Sequence, residues 1–251
     1  MGTLDLLLVA GVALLAGGVN SIAGGGSLIL FPTLVALGLG TVEANVTNSV
    51  AQWPGYLGGV AGFRSEYRGQ LRRLLLFSLV AVVGGTIGSI LLLVLPSSAF
   101  DVVVPVLVLL ASLLLAVQQV LTRKLGVRPG GEGRHNPWWL YLALFAATIY
   151  GGYFGGALGV ILVAVLGLGL GRLKLANALK SALSAVTATV TLIVFGFFGD
   201  VHWVVVAVAA PAGLVGGFLG ARIATRIPVT PLRAFIVVFG IGVSVYLFLR
   251  I

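Results

Sequence analysis

Asn20-Ser21-Ile22-Ala23-Gly24-Gly25-Gly26-Ser27 is a polar, glycine-rich interruption between two apolar runs, Leu4 to Val19 and Leu28 to Leu39. The same arrangement returns 132 residues later at Gly152 to Gly159, which makes it a structural period rather than an accident of a chain with 37 glycines. In that register Gly24 matches Gly156, Ile29-Leu30 matches Ile161-Leu162, Leu34 matches Leu166, Ala44-Asn45 matches Ala176-Asn177 and Ser49 matches Ser181, without a gap. The sequence reads as one unit built twice.

The 251 residues are 59% apolar and 8% charged, with a mean hydropathy of +1.18. A water-covered domain of this length needs far more surface charge, so the composition predicts an all-α polytopic membrane protein solvated by lipid. Cysteine is absent, which excludes disulfides, thiolate metal sites, iron–sulfur clusters and cysteine nucleophiles. His135 and His202 fall in loops and are too few to build a metal site, so neither metal nor cofactor is expected. Most of the net charge of +9 lies in short links between apolar runs. That is the positive-inside pattern of a membrane protein, not the footprint of a nucleic-acid partner. No Lys or Arg precedes the first apolar run and no Ala-x-Ala site follows it, so the N-terminus reads as part of the mature fold.

Ten apolar segments are expected, at 4–20, 25–39, 43–62, 71–95 and 100–121, then at 138–153, 156–171, 175–198, 201–225 and 231–250. They define an N-terminal transmembrane repeat (1–121), a linker (122–137) and a C-terminal transmembrane repeat (138–251). Links 63–73 (Arg64, Arg68, Arg72, Arg73), 122–137 (Arg123, Lys124, Arg128, Arg134) and 222–230 (Arg222, Arg226) are basic and predicted cytoplasmic. Links 96–100 and 199–202 have no Lys or Arg and are predicted external. The link after the third segment is thus inside in the first half and outside in the second. This gives two inverted five-segment repeats, an architecture common in secondary transporters. The scheme places Arg172 and Lys174 inside and both chain ends outside, with Arg250 the one basic residue against it. The pairs 4–20/25–39 and 138–153/156–171 are short or re-entrant broken helices, since about 22 to 26 Å falls short of a roughly 30 Å apolar core. The linker's Gly, Pro and charge content reads as a flexible connector, followed by a Trp138-Trp139-Tyr141 interfacial anchor.

Helix starts after glycines present unpaired N–H groups and the positive end of the helix dipole, so Gly24, Gly25, Gly26 and Ser27 are candidates for an anion site. The competing role for these glycines is close helix packing. Asn20 and Ser21 supply polar groups at the same depth, either lining a cavity or bonding a neighbouring helix. In the third segment Asn45, Asn48, Ser49 and Gln52 share a helical face, and Gln52 is too deep to be left unpaired. Their counterparts are Asn177, Lys180, Ser181 and Ser184. Lys180 stands where Asn48 does and is either a functional intramembrane cation or a snorkelling one. With the helix starts it points to an anionic substrate. Tyr150, Tyr153 and Phe154 at the second break either shape a cavity wall, with Tyr153 as the candidate contact, or anchor packing. The Gly84/Gly88 and Gly213/Gly217 pairs read as helix-packing surfaces. Asp5, Glu43, Glu66, Asp101, Glu132 and Asp200 all lie near segment ends, so a coupling proton or sodium ion has no obvious buried carboxylate.

At Gly24-Gly25-Gly26-Ser27-Leu28-Ile29-Leu30-Phe31-Pro32-Thr33-Leu34, followed by Ala44-Asn45 and Asn48-Ser49, the sequence resembles the sulfite exporter TauE/SafE family of prokaryotic inner-membrane permeases. The resemblance spans essentially the whole chain. It implies a multi-pass protein of the prokaryotic inner (cell) membrane that moves small sulfur-containing anions such as sulfite, sulfonates, sulfoacetate and thiosulfate. It points at Gly24, Gly25, Gly26, Pro32, Asn48 and Ser49 as lining the route. The second half departs from the pattern: Ala157 and Leu158 replace the middle glycines and Ala164 stands where Pro32 would. The two half-sites are therefore not expected to be equivalent.

The leading expectation is a secondary transporter, an exporter by resemblance, that binds a small anion between the halves. The rivals are an anion channel and a non-transporting membrane subunit. An enzyme is not expected: there is no His-x-x-x-His, no buried Asp pair, and Lys180 and Ser181 are adjacent and cannot face one another. The expected partners are the anion, the lipid bilayer and, where transport is coupled, a proton or sodium ion; oligomeric state is not legible.

Overall fold

The computed structural model describes residues 1–22, 25–124, 137–171, 173–223 and 229–249. Across them the chain is helical: α1 (Thr3–Ile22), α2 (Ser27–Ala36), α3 (Thr41–Gly62), α4 (Leu71–Val94), α5 (Ser97–Lys124), α6 (Trp138–Tyr153), α7 (Leu158–Leu170), α8 (Leu173–Phe198), α9 (Trp203–Ile223) and α10 (Val229–Phe248). A 3₁₀ turn at Arg64–Tyr67 joins α3 to α4. Each expected apolar segment corresponds to one helix. Stretches of α1, α4, α5, α8 and α9 are long and apolar enough to cross a membrane. Large apolar side chains such as Leu4, Leu75, Leu79, Val94 and Phe197 point outward, as lipid rather than water requires. The protein is a multi-pass helical membrane protein.

Two helices fall furthest short of crossing. With 10 residues α2 reaches about 15 Å, and with 13 residues α7 reaches about 20 Å, against a hydrocarbon core of about 30 Å. Gly38, at φ +97°, stops α2. The Gly38 N–H donates to the Val35 carbonyl (3.1 Å) and the Leu39 N–H to the Leu34 carbonyl (3.2 Å), the paired bonds of a Schellman stop. Gly171 at φ +63° ends α7 by donating to the Gly167 carbonyl. α5 runs on through Lys124, so the first residues of the expected linker are helical; residues 125–136, like Gly24, Arg172 and Arg226, lie outside the described residues.

Two glycine seams hold the bundle together. Along α4/α6, a Cβ on Gly88 would lie 2.0 Å from the Ile149 carbonyl oxygen, and one on Gly152 would lie 2.3 Å from that of Gly85. Along α1/α9, a Cβ on Gly216 would lie 1.9 Å from the Leu14 oxygen, and one on Gly220 would lie 2.6 Å from the Gly18 Cα. The expected Gly84/Gly88 surface is thus a contact surface. In α9 the tight approach falls on Gly216 and Gly220 rather than on the expected Gly213/Gly217, whose own Cβ positions are unobstructed to 3.4 Å or beyond. Gly213 still takes part, since its carbonyl meets Gly17. α3 crosses α8 at the centre, α5 packs on α10, and α3 and α8 pack on α9 and α4 respectively.

The two ends of the bundle are marked by polar ties. At one end the Thr41 hydroxyl donates to Asp101, and the His202 N–H donates to the Thr47 hydroxyl (3.0 Å), which gathers the starts of α3, α5 and α9. At the other, Lys174 Nζ lies 2.7 Å from Glu66 Oε1, and the Tyr67 hydroxyl donates to the Ala178 carbonyl (3.1 Å). Burial at that contact raises the Tyr67 phenol above its ordinary pKa.

Candidate functional site

The starts of α2 and α7 come together at one cavity. Ser27, the first residue of α2, and Gly155 and Leu158, at the start of α7, line one small buried cavity with Ser49, Gln52 and Tyr56 of α3 and Ser184, Thr187 and Thr191 of α8. Its volume is about 20 Å³, which holds a single water but no polyatomic ion. The two helix starts are built differently. Gly25 adopts φ +99° before α2, whereas the turn before α7 uses Gly155 at φ +77° and Ala157 at φ +57°. Ala157 is the one residue other than glycine with a positive φ among the described residues.

Gln52 is the hub of the first-half residues. Its Nε2 donates to Ser27 Oγ (2.9 Å) and to Asn48 Oδ1 (2.5 Å), and its Oε1 faces Asn20 Nδ2 at 3.5 Å. Both amide protons of Gln52 are therefore taken. Asn48 is fully buried and meets the cavity only through Gln52. Asn45 donates to the backbone carbonyl of Tyr153 (2.9 Å), tying α3 to the end of α6. The Tyr153 ring packs instead on Phe100, with centroids 5.5 Å apart. Ser49 Oγ donates to the Asn45 carbonyl (2.8 Å) while bordering the cavity. Ser21 bonds the Gly217 carbonyl on α9 (2.9 Å) and stays outside the site.

Gly25 and Gly26 pack against neighbouring helices. A Cβ on Gly26 would lie 2.2 Å from the Ala16 carbonyl oxygen, and Gly25 abuts Leu115. Pro32 is buried within α2, where its missing N–H releases the Leu28 carbonyl.

In the second half, Ser184 and Thr187 are each 1% exposed and their hydroxyls have no hydrogen-bond partner. Ser181 bonds back to the Asn177 carbonyl (3.0 Å). Lys180 does not border the cavity: its stem lies over Gly159 on the first turn of α7, where a Cβ would meet Lys180 Cε at 3.0 Å. It shares a face of α8 with Ser184, one turn away.

Of the sequence-derived candidates, Ser27, Ser49, Gln52 and Ser184 thus meet at one cavity, with Asn20 and Asn48 joined to it through Gln52. Asn45, Tyr153, Ser21, Asn177, Ser181 and Lys180 stand around it. Tyr56, Thr187 and Thr191 were not among the candidates. Thr187 and Thr191 continue the spacing of Ser184 by three and seven residues, a periodic signal present in the sequence. No group of three or more His, Asp or Glu gathers as a metal site among the described residues.

A probable membrane transporter protein, YfcA, of Escherichia coli K12 is 29% identical over 220 residues, covering 86% of this chain and 78% of its own. Probable membrane transporter protein ORF9 of a Sinorhizobium species is 29% identical over 231 residues, 89% of this chain and 82% of its own. A probable membrane transporter protein of Haemophilus influenzae is 26% identical over 243 residues, 94% of this chain and 91% of its own. No solved structure matches the chain. The model of the family described as sulfite exporter TauE/SafE matches residues 9–247, and the chain belongs to that family.

Proposed function

We propose that this protein is a secondary transporter of small anions, sulfite and organic sulfonates first among them, working by alternating access across a bacterial cell membrane. The observation that carries the reading is the convergence of two helix N-termini, from two separate breaks, on one buried polar cavity. Helix starts carry roughly half a positive charge each, so an anion is the ligand such a site favours without any charged side chain. Ser27, Ser49, Gln52 and Ser184 line the cavity, supported by Asn20, Asn45, Asn48 and Tyr153. Lys180, with Asn177 and Ser181 beside it on α8, is a cation adjoining the site, and Gly25 and Gly26 set the approach of α2.

Two inverted five-helix repeats are part of the proposal. They are supported by a packing pattern that survives exchange of the halves. Shifted by 132 residues, the α1/α9 pair becomes the α6/α4 pair, α3/α9 becomes α8/α4, and α3/α8 and α5/α10 map onto themselves. The seam glycines follow: Gly84 and Gly88 fall on Gly216 and Gly220. On this reading α1–α2 and α6–α7 are hairpins that enter from opposite faces and meet tip to tip.

The small volume, about 20 Å³, also favours a transporter over a standing pore, because a polyatomic anion fits only after one hairpin moves. The test is flux into liposomes holding the purified protein. Saturable uptake of sulfite or methanesulfonate, reduced at least tenfold in Q52A and S184A variants of parental fold, is the expected result. Equal flux in parent and empty liposomes overturns transport, and single-channel current in place of saturable flux makes it a channel.

A further inference from the structure

We infer that the two halves divide the labour at the cavity: the second half, through the Ser184 and Thr187 hydroxyls, supplies the donors that grip the anion, while the first half supplies a self-saturated lock. The inference rests on the transport reading and names the ligand contacts within it. In the 132-residue register Gln52 falls on Ser184, and Gly55 on Thr187. The first-half amide has spent both its protons on Ser27 and Asn48. The hydroxyl of Ser184, which replaces it in the second half, and that of Thr187 have spent none, although both residues are 1% exposed and border the cavity.

Unsatisfied buried hydroxyls are costly and are kept where a bound water, or a ligand that displaces it, completes them. Here they stand three residues apart on one face of α8, and the cavity that they share is capped by the starts of α2 and α7. Nearby hydroxyls elsewhere on α8 are already committed: Thr191 donates to the Ala188 carbonyl (2.9 Å), and Thr189 accepts from Trp53 Nε1 (3.0 Å) while donating to Ala185 (2.8 Å). A hydroxyl donor pair between two helix dipoles is suited to a compact oxyanion head, whose oxygens accept and cannot donate. Lys180, one turn along the same face and outside the lining, is not one of these contacts.

The consequence is a separation of stability from binding. T187V keeps side-chain shape and S184A removes one oxygen, so neither breaks a protein–protein bond present in the structure. Thermal unfolding of the purified, full-length protein in detergent, without and with methanesulfonate, sulfite or acetate, reads both quantities. In S184A, T187V and the double variant, the expected result is an unliganded melting temperature equal to or above the parent's. The sulfonate-induced and sulfite-induced shifts, meanwhile, fall at least tenfold in apparent affinity. N48A should do the reverse, with a lowered unliganded melting temperature and a shift that survives. A double variant that binds sulfonate with parental affinity overturns this division while leaving transport intact. A parent that none of the three anions stabilises and that carries no flux overturns both.

Discussion

Ala157 holds a left-handed backbone conformation at φ +57°, 132 residues after Gly25 at φ +99°, so a positive φ before a short helix falls on glycine in one half and on alanine in the other. A left-handed conformation costs an ordinary residue about 1–2 kcal/mol, and glycine almost nothing. A Cβ on Gly25 would have only ordinary contacts, with Leu115 at 3.5 Å and Leu28 at 3.6 Å, so steric clash adds little there. G25A should therefore destabilise by about 1–2 kcal/mol. A157G gains the strain back but loses about 0.5–1 kcal/mol to the unfolded glycine's freedom, leaving a gain between zero and about 1.5 kcal/mol. Chemical denaturation of the two variants in detergent checks the opposite signs; a stabilised G25A contradicts the account.

The seams make a second prediction. G88A and G216A each place a methyl within about 2 Å of a backbone oxygen on the facing helix, and a backbone carbonyl cannot swing aside as a side chain can. Overpacking of this kind costs about 1–3 kcal/mol or more. Gly11 and Gly167, with nothing within 4 Å, should accept alanine within about 0.5 kcal/mol and gain helix propensity in return. Melting temperatures of the four single variants decide it, and parity between G216A and G11A would remove the seam from the explanation.

Why these features were only partly legible follows from what a sequence encodes. Segment number and location come from hydropathy, which depends on composition along the chain, so ten apolar runs became ten helices. Facing depends on the rotation of each helix about its axis. Gly213, Gly216, Gly217 and Gly220 offer two pairings spaced by four, and only packing against α1 selects Gly216 and Gly220. Likewise Thr187, Thr189 and Thr191 alternate along α8, and rotation sends Thr187 to the cavity and Thr189 to Trp53. The Gly38 stop that shortens α2 was visible as a residue but not as a Schellman turn, because Gly38 and Gly40 both stood available. The polar face of α3 was legible because Asn45, Asn48, Ser49 and Gln52 keep helical spacing in an apolar context. What it could not reveal was that Gln52 is already saturated.

That saturation gives a third prediction. Gln52 bridges Ser27 on α2 and Asn48 on its own helix, so truncating it orphans both partners at once. Q52A should cost about 1–3 kcal/mol, the penalty for leaving buried polar groups unpaired. Because N48A breaks part of the same network, the double variant should be milder than the sum of the singles by at least about 0.5 kcal/mol. Additive losses in a double-mutant cycle would show that the two amides act independently.

The ion pair at the end of the bundle should matter far less. Lys174 is 78% exposed and holds Glu66 across two links, so solvent screens the attraction and side-chain ordering offsets much of it. K174M and E66Q should each change stability by less than about 1 kcal/mol, and any difference from the parent should shrink in high salt. Loss of several kcal/mol in either variant would mark this contact as a structural clamp.

The inverted arrangement itself can be tested at two residues. Ser65, in the turn after α3, and Asp200, in the link after α8, are both exposed and occupy links that correspond in the proposed repeats. Parallel repeats would put these links on the same side of the membrane, and inverted repeats on opposite sides, because an odd number of crossings per repeat reverses the second copy. Ser65 belongs to a link with Arg64 and Arg68, while the Asp200 link has no Lys or Arg, so the basic one should face the cytoplasm. The chain has no cysteine, so S65C and D200C each introduce a single reactive thiol against a silent background. In intact cells a membrane-impermeant maleimide should label D200C and spare S65C, with S65C becoming reactive only after permeabilisation. Labelling of both thiols before permeabilisation, or of neither, would make the repeats parallel and move the two hairpins to the same face.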